Sequence, residues 1–261
     1  MRDYDKQLNE LVAIMTKEGA SDLHLTVGRA PTIRVTGELI PLVNQPVTSA
    51  DDALGMALVM LTDENKKIFL AKKDIDFSWS PDPSARFRGN AFFQKGVAGV
   101  ALRLIPNKVK TIEELNLPPV LAEFARKNQG FFLVVGPVGQ GKSTTLASMV
   151  DLINHERAEH IVTIEDPVEY LFTSDRSIID QREVRFDTED FSTALRSMFR
   201  EDVNVAMIRE MRGPDTMSTA VTAAETGHLI LSTLHTNSAA QTIDRIIDTF
   251  PAGQQKQIRV Q

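Results

Sequence analysis

The chain has 261 residues, enough for two domains or one large one, and its 42% hydrophobic and 25% charged residues exclude a disordered or fibrous protein. Lys+Arg 29 against Asp+Glu 35 gives a net charge of −6, which excludes a main role in neutralising nucleic-acid phosphates and leaves open only a local basic patch. Cysteine is absent, ruling out disulfide frameworks and Cys-ligated zinc or iron–sulfur sites; with no run of 18 apolar residues and no signal-peptide core at the start, the expectation is a cytoplasmic chain without membrane insertion.

Residues 1–105 read as an α+β domain. Leu8, Leu11, Val12 and Met15 keep helical spacing, and Gly19 stops that helix. Residues 22–27 and 32–36 alternate polar and apolar as strands, the second meeting a turn at Gly37. Residues 51–72 are again helical, and 74–105 alternate around turn signals at Pro81-Asp82-Pro83 and Gly96, which predicts an antiparallel meander. The prolines and lysines of 106–119 read as an interdomain linker. In 120–261 the pattern changes to short apolar runs at 131–135, 161–164, 205–208 and 229–234, separated by helical patterns. Buried parallel strands alternating with helices predict an α/β domain.

Gly136-Pro137-Val138-Gly139-Gln140-Gly141-Lys142-Ser143 fits the phosphate-loop pattern G-x-x-x-x-G-K-[ST] and continues into Thr144. Glycines let successive amides converge on phosphate oxygens, Lys142 reaches the β- and γ-phosphates, and the Ser143 hydroxyl binds Mg²⁺. The helix beginning near Lys142 adds the positive end of its dipole. The motif also sits between a buried strand and an amphipathic helix, as this chemistry requires.

Such a site needs carboxylates, and two candidates stand at strand ends: Glu165, with Glu169, in Glu165-Asp166-Pro167-Val168-Glu169, and Glu210 after 205–208. Each also reads as a solvated acidic loop. His228 and His235 bracket the run 229–234 and so fall at opposite ends of one strand. His235 is then a candidate sensor of nucleotide state, against the plainer reading of a packed, hydrogen-bonded histidine. Arg86, Arg88 and Arg103 lie on alternating strands of the first domain, either as surface charge or as arginines reaching a neighbouring subunit's nucleotide. The basic face of Arg196 and Arg200 reads as solvated or as a subunit contact.

The ordered segments together resemble the type IV pilus retraction ATPases, the PilT family within the secretion-ATPase superfamily. The resemblance covers essentially the whole chain. It is carried by Ala20-Ser21-Asp22-Leu23-His24-Leu25, Ala85-Arg86-Phe87-Arg88-Gly89-Asn90-Ala91-Phe92, the phosphate loop and Thr163-Ile164-Glu165-Asp166-Pro167-Val168-Glu169. Further on come Gln181-Arg182-Glu183-Val184, Ala194-Leu195-Arg196-Ser197, Thr222-Ala223-Ala224-Glu225-Thr226-Gly227-His228-Leu229 and Ser232-Thr233-Leu234-His235-Thr236. The resemblance implies a PAS-like N-terminal domain joined to a RecA-like P-loop ATPase domain. It implies ATP and Mg²⁺ as cofactors and a ring homohexamer in the cytoplasm, at the inner face of the membrane, docked on the pilus inner-membrane platform protein. It also implies roles: Glu210 activates the attacking water, Glu165 and Glu169 form an acidic box, His228 and His235 form a histidine box, and Arg88 and Arg103 approach the nucleotide. Nucleic acid is not an expected partner.

Two departures stand out. The family's G-E-M-R-D appears here as Arg209-Glu210-Met211-Arg212-Gly213, and Asn204 replaces an Asp. Arg209 is expected either to pair with Glu210 or crowd the backbone, slowing hydrolysis, or to point to solvent. The family also continues into a helical region beyond the position of Gln261, so the resemblance implies an ATPase domain truncated at its C-terminal end. Besides a retraction motor, three readings stay open: a hydrolytically weak nucleotide-binding regulatory subunit, the assembly or secretion branch of the superfamily, and a P-loop kinase.

Overall fold

The computed structural model describes residues 3–82, 85–106, 108–137, 139–209, 211 and 213–260. The chain divides into two units after Pro106.

In the first unit, helix α1 (Tyr4–Glu18) starts at Asp3, whose side chain accepts the Lys6 amide, and stops at Gly19, where φ is 63°. Leu8, Leu11, Val12 and Met15 form its buried face. Strands β1 (Asp22–Leu25), β2 (Thr32–Val35) and β3 (Glu38–Pro41) follow. The sequence pattern does not announce β3: it pairs only with β2 at the sheet edge and all four of its residues are exposed, so it carries no alternation. Residues 51–72 form two helices rather than one, α2 (Ala50–Met60) and α3 (Asp63–Lys72). The break lies at Thr62, whose hydroxyl accepts the Asn65 amide and caps a new helix in place of continuing the old one. Strands β4 (Asp74–Asp82), β5 (Ala85–Gln94) and β6 (Val97–Ile105) form the meander. The sheet order is β3-β2-β1-β6-β5-β4, with antiparallel pairs throughout. Phe77, Phe87 and Leu102 pack with Leu8, Met56 and Phe69 in one core.

The polar face of this sheet carries a transverse row. Asp22 lies in register with Arg34 on one side and Arg103 on the other, and Arg103 lies beside Arg88. The Arg103 Nε donates to Asp22 Oδ1 at 2.8 Å. Burial would raise the Asp22 carboxyl, but hydrogen bonds from Ser21 and Arg103 outweigh it and hold the group below its usual range.

In the second unit the elements are α4 (Val120–Ala125), β7 (Gly130–Val135), α5 (Lys142–Glu156), β8 (His160–Glu165), β9 (Ile178–Glu183) and α6 (Phe191–Ser197). A short 3₁₀ turn (Met198–Arg200) leads into β10 (Val205–Ile208), α7 (Pro214–Glu225), β11 (Leu229–Leu234), α8 (Ala239–Thr249) and α9 (Gln255–Ile258). The sheet order is β7-β11-β10-β8-β9, and every pair is parallel. Alternate residues of the inner strands supply two cores. Ile161, Val205, Leu229 and Leu231 face Leu146, Met149 and Ile153 of α5. Val162, Ile164, Ala206, Ile208 and Ile230 face Leu195, Met217 and Ala220 of α6 and α7. Burial on both faces is why these strands read as unbroken apolar runs. Edge strand β9, Ile-Ile-Asp-Gln-Arg-Glu, has no such run and escapes notice in the sequence. Within the stretch 106–119, Ile112 is buried in the α5 core and Leu117 packs against it.

His160 opens β8 and ties two neighbours to it. Its Nδ1 lies 2.8 Å from the Glu201 carbonyl and its Nε2 lies 3.0 Å from the Asp180 carboxylate on β9. Burial disfavours the imidazolium, but the bonds to Asp180 and Glu201 outweigh it and raise the group above 6.5. A raised histidine stabilises the fold fully below its unfolded pKa, and that stabilisation is lost as pH rises through the folded value. We therefore expect the urea midpoint to fall between about pH 6 and pH 9, and to fall less in His160→Asn. Equal slopes in the two proteins would show that this pair does not contribute.

Candidate nucleotide site

Parallel pairing brings the C-terminal ends of the second unit's strands to one rim. The glycine loop follows β7, Glu165 ends β8, Arg209 follows β10 and His235 follows β11. Because β11 lies between β7 and β10, it places Thr233 and His235 between the loop and Arg209. A cavity of about 320 Å³ opens there, lined by Gly139, Gly141, Lys142, Ser143, Thr144, Glu169, Arg209, Thr233 and His235. This size and position suit a small-molecule site at the strand ends of an α/β sheet.

The loop's shape comes from its glycines. Gly136, Gly139 and Gly141 hold φ of 153°, 82° and 79°, in the left-handed region. A Cβ at Gly139 or Gly141 would meet nothing within 4 Å, so conformation rather than space excludes other residues there. Gly141→Ala should cost about 1–2 kcal/mol and loosen the loop, read as a lower urea midpoint together with weaker nucleotide binding. Pro137 and Gln140 are exposed in the loop, while Gly136 is buried. Val138 lies outside the described residues. Lys142 is 8% exposed, and its ammonium donates to the carbonyls of Gly136 and Pro137, each at 2.8 Å. Those carbonyls hold the cation over its own loop, against the first turn of α5.

The acidic loop after β8 is tied down from several sides. Glu165, 2% exposed, accepts from the Thr163 hydroxyl at 2.8 Å, the Glu169 amide at 3.2 Å and the Gln181 side-chain amide at 3.3 Å. Burial dominates over these donors and raises its pKa, favouring the protonated acid. Gln181 also donates to the Tyr170 carbonyl and accepts the Phe172 amide, and the Tyr170 hydroxyl bonds the Thr144 hydroxyl at 2.9 Å. Buried Glu183 accepts the Val168 amide. Gln181 and Glu183 on β9 and Tyr170 are thus organising residues that no motif marks by role, although Gln181 and Glu183 fall within Gln181-Arg182-Glu183-Val184.

Arg209 does not point to solvent. Its guanidinium is one-fifth exposed and pairs with Glu169 and with the Pro167 carbonyl. The reason is register: residues 205–208 of β10 run beside 161–164 of β8, so the next side chain hangs over the loop that leaves β8. Glu210 lies outside the described residues.

The structure does not bring His228 to the cavity. It precedes β11, about 23 Å from His235 at about 3.3 Å per residue along the strand. There its ring Nδ1 lies 3.0 Å from the Ala223 carbonyl and its edge meets Phe199. It is a packed histidine in this unit, whereas exposed His235 lines the cavity. Arg88 and Arg103 are exposed on the first unit's sheet, Arg103 bound to Asp22.

As a metal site, the residues suit a shared rather than a protein-made sphere. Among the described residues no group of three His, Cys, Asp or Glu side chains can hold a metal ion. Ser143 and Glu165 both border a small recess beside the cavity, but the Glu165 oxygens already accept three hydrogen bonds. The Ser143 hydroxyl beside phosphate oxygens fits Mg²⁺, which takes few protein ligands and keeps much of its water.

The parallel sheet with a glycine loop at the end of β7 and a facing rim of strand ends defines a RecA-like P-loop ATPase domain. The chain belongs to the type II/IV secretion system protein family, whose model matches residues 4–256. It is 45% identical to the type IV pilus retractation ATPase PilT of Pseudomonas aeruginosa, over 97% of this chain and 73% of that one. It is 44% identical to a twitching motility protein of Neisseria gonorrhoeae, over 88% of this chain and 61% of that one. The crystal structure of the pilus retraction motor PilT with bound ADP superposes with a TM-score of 0.91 at 42% identity, over 96% of this chain and 73% of that one.

Proposed function

We propose that this chain is a subunit of an ATP-driven motor that powers type IV pilus retraction and hence twitching motility. The observation that carries the reading is the cavity itself, with the glycine loop, Lys142 and Ser143 on one wall and Arg209, Thr233 and His235 on the other. It occurs in a chain with 45% identity to a pilus retraction ATPase across nearly its whole length.

In this reading the loop amides and Lys142 bind the phosphates of ATP, and the Ser143 hydroxyl together with phosphate oxygens would hold Mg²⁺, which offsets their charge. Glu210 acts as the base on the attacking water. Glu169, Thr233 and His235 border the reacting end. Glu165, buried and fully bonded, positions the acidic loop rather than binding the ion. Arg88 and Arg103 act on a nucleotide as cations supplied by the first unit within a homohexameric ring. Among the described residues no helix is long and apolar enough to cross a membrane. The ring works in the cytoplasm, held at the inner face of the membrane by a platform protein.

The test is phosphate release from ATP with Mg²⁺, read alongside oligomer mass with and without nucleotide. Turnover together with a nucleotide-dependent ring supports the motor, and neither would refute it. A second reading, a hydrolytically weak regulatory subunit, is favoured by the contact of Arg209 with Glu169. It predicts a ring with slow turnover that Arg209→Gly speeds.

A further inference from the structure

Arg209 is held in place by its backbone. Its amide donates to the Ile164 carbonyl at 3.0 Å, and its own carbonyl accepts from the Thr233 hydroxyl, so strands on both sides pin it. The guanidinium hangs into the same cavity that Lys142 and Ser143 line. Both groups it holds there, the Pro167 carbonyl and the Glu169 carboxylate, belong to the loop leaving β8. The same loop is also bonded through the Val168 and Glu169 amides and the Tyr170 hydroxyl.

A guanidinium fork matches phosphate as well as carboxylate, and in two parallel hydrogen bonds. The phosphate chain of a nucleotide starting at the loop runs toward the strand ends, and its third phosphate brings negative charge to the wall where Arg209 stands. The Glu169 carboxylate, 38% exposed, is the weaker competitor because water screens it.

Resting on the nucleotide-binding reading above, we propose that Arg209 reads the terminal phosphate: it leaves Glu169 for the third phosphate of a nucleoside triphosphate and stays on Glu169 when a diphosphate is bound. The exchange frees the Glu169 carboxylate and the Pro167 carbonyl only in the triphosphate state. Arg209 is thereby a specificity residue for triphosphate over diphosphate, and it couples the phosphate count to the acidic loop.

The experiment titrates ADP and an unreactive ATP analogue, with Mg²⁺, into the full chain as wild type, Arg209→Gly, Glu169→Gln and the double variant. Glu169→Gln should tighten the analogue about tenfold, since Arg209 no longer has to leave a charged partner, and leave ADP unchanged. Arg209→Gly should weaken the analogue with ADP unchanged, and the double variant should behave like Arg209→Gly. In the wild type, hydrogen exchange at the Val168 and Glu169 amides should rise with the analogue and not with ADP; this readout does not depend on any variant folding. If Glu169→Gln has no effect, has the same effect without Arg209, or if exchange responds alike to both nucleotides, the inference is overturned while the nucleotide-binding reading stands. If the wild type binds neither nucleotide, both fall.

Discussion

Lys142→Ala is expected to lower ATP turnover about 10²–10³-fold, the usual loss when one aimed donor to developing negative charge is removed. The ammonium is buried against the loop and bonds the Gly136 and Pro137 carbonyls. The substitution therefore also removes two internal contacts of the loop. Both effects weaken the grip on phosphate, and both leave the two cores of the second unit intact, since Lys142 belongs to neither. Steady-state phosphate release and a nucleotide titration, with the urea midpoint as control, separate loss of the cation from loss of fold. Unchanged turnover with an unchanged midpoint would remove the phosphate loop from the chemistry.

Phe87→Ala is expected to destabilise the first unit by about 3–5 kcal/mol, the usual range for an aromatic truncated in a packed core. Phe87 is fully buried, between Arg86 and Arg88 on β5, and its ring stacks near Trp79 at 5.5 Å. It points inward while the arginines beside it point outward, so one strand serves the core and the cationic face together. Loss of that unit's packing should scatter Arg34, Asp22, Arg103 and Arg88, whose row exists only through strand register. A separate early transition in urea, reported by the fluorescence of Trp79, the only tryptophan, would measure it. A loss below about 1 kcal/mol would mean that the site collapses around the missing ring.

Much of the second unit was legible because its inner strands are buried on both faces and so write continuous apolar runs. Strand β9 was not, because an edge strand buries one face at most and here spends its alternate positions on Gln181 and Glu183. In the first unit the helix of Leu8 to Met15 was legible by period and by Gly19, but the break at Thr62 was not. A single hydroxyl cap decided it, inside a stretch whose periodicity runs on. The phosphate loop was legible to the residue, since positive φ at fixed positions admits few residues other than glycine. The fate of the charged groups was less legible. Glu165 ends β8 beside Ser143, and there burial outweighs its three hydrogen-bond donors and favours the neutral acid. His228 and His235 stand at opposite ends of one strand, as their spacing predicts, and only His235 lines the cavity. Arg209 pairs with Glu169, a placement that no local pattern announces.

The order of residues alone shows a nucleotide-type loop between a buried strand and a helix, in an α/β unit following an α+β unit. Local rules suffice for that, because glycine conformation, helix capping and strand periodicity act over a few residues. Which side chains share the cavity follows from how the strands are paired. The parallel register of β8, β10 and β11 sets Arg209 over the loop leaving β8 and carries His235 to the rim and His228 away from it. Such neighbourhoods depend on which strands lie side by side, and that is settled by packing both faces of the sheet at once.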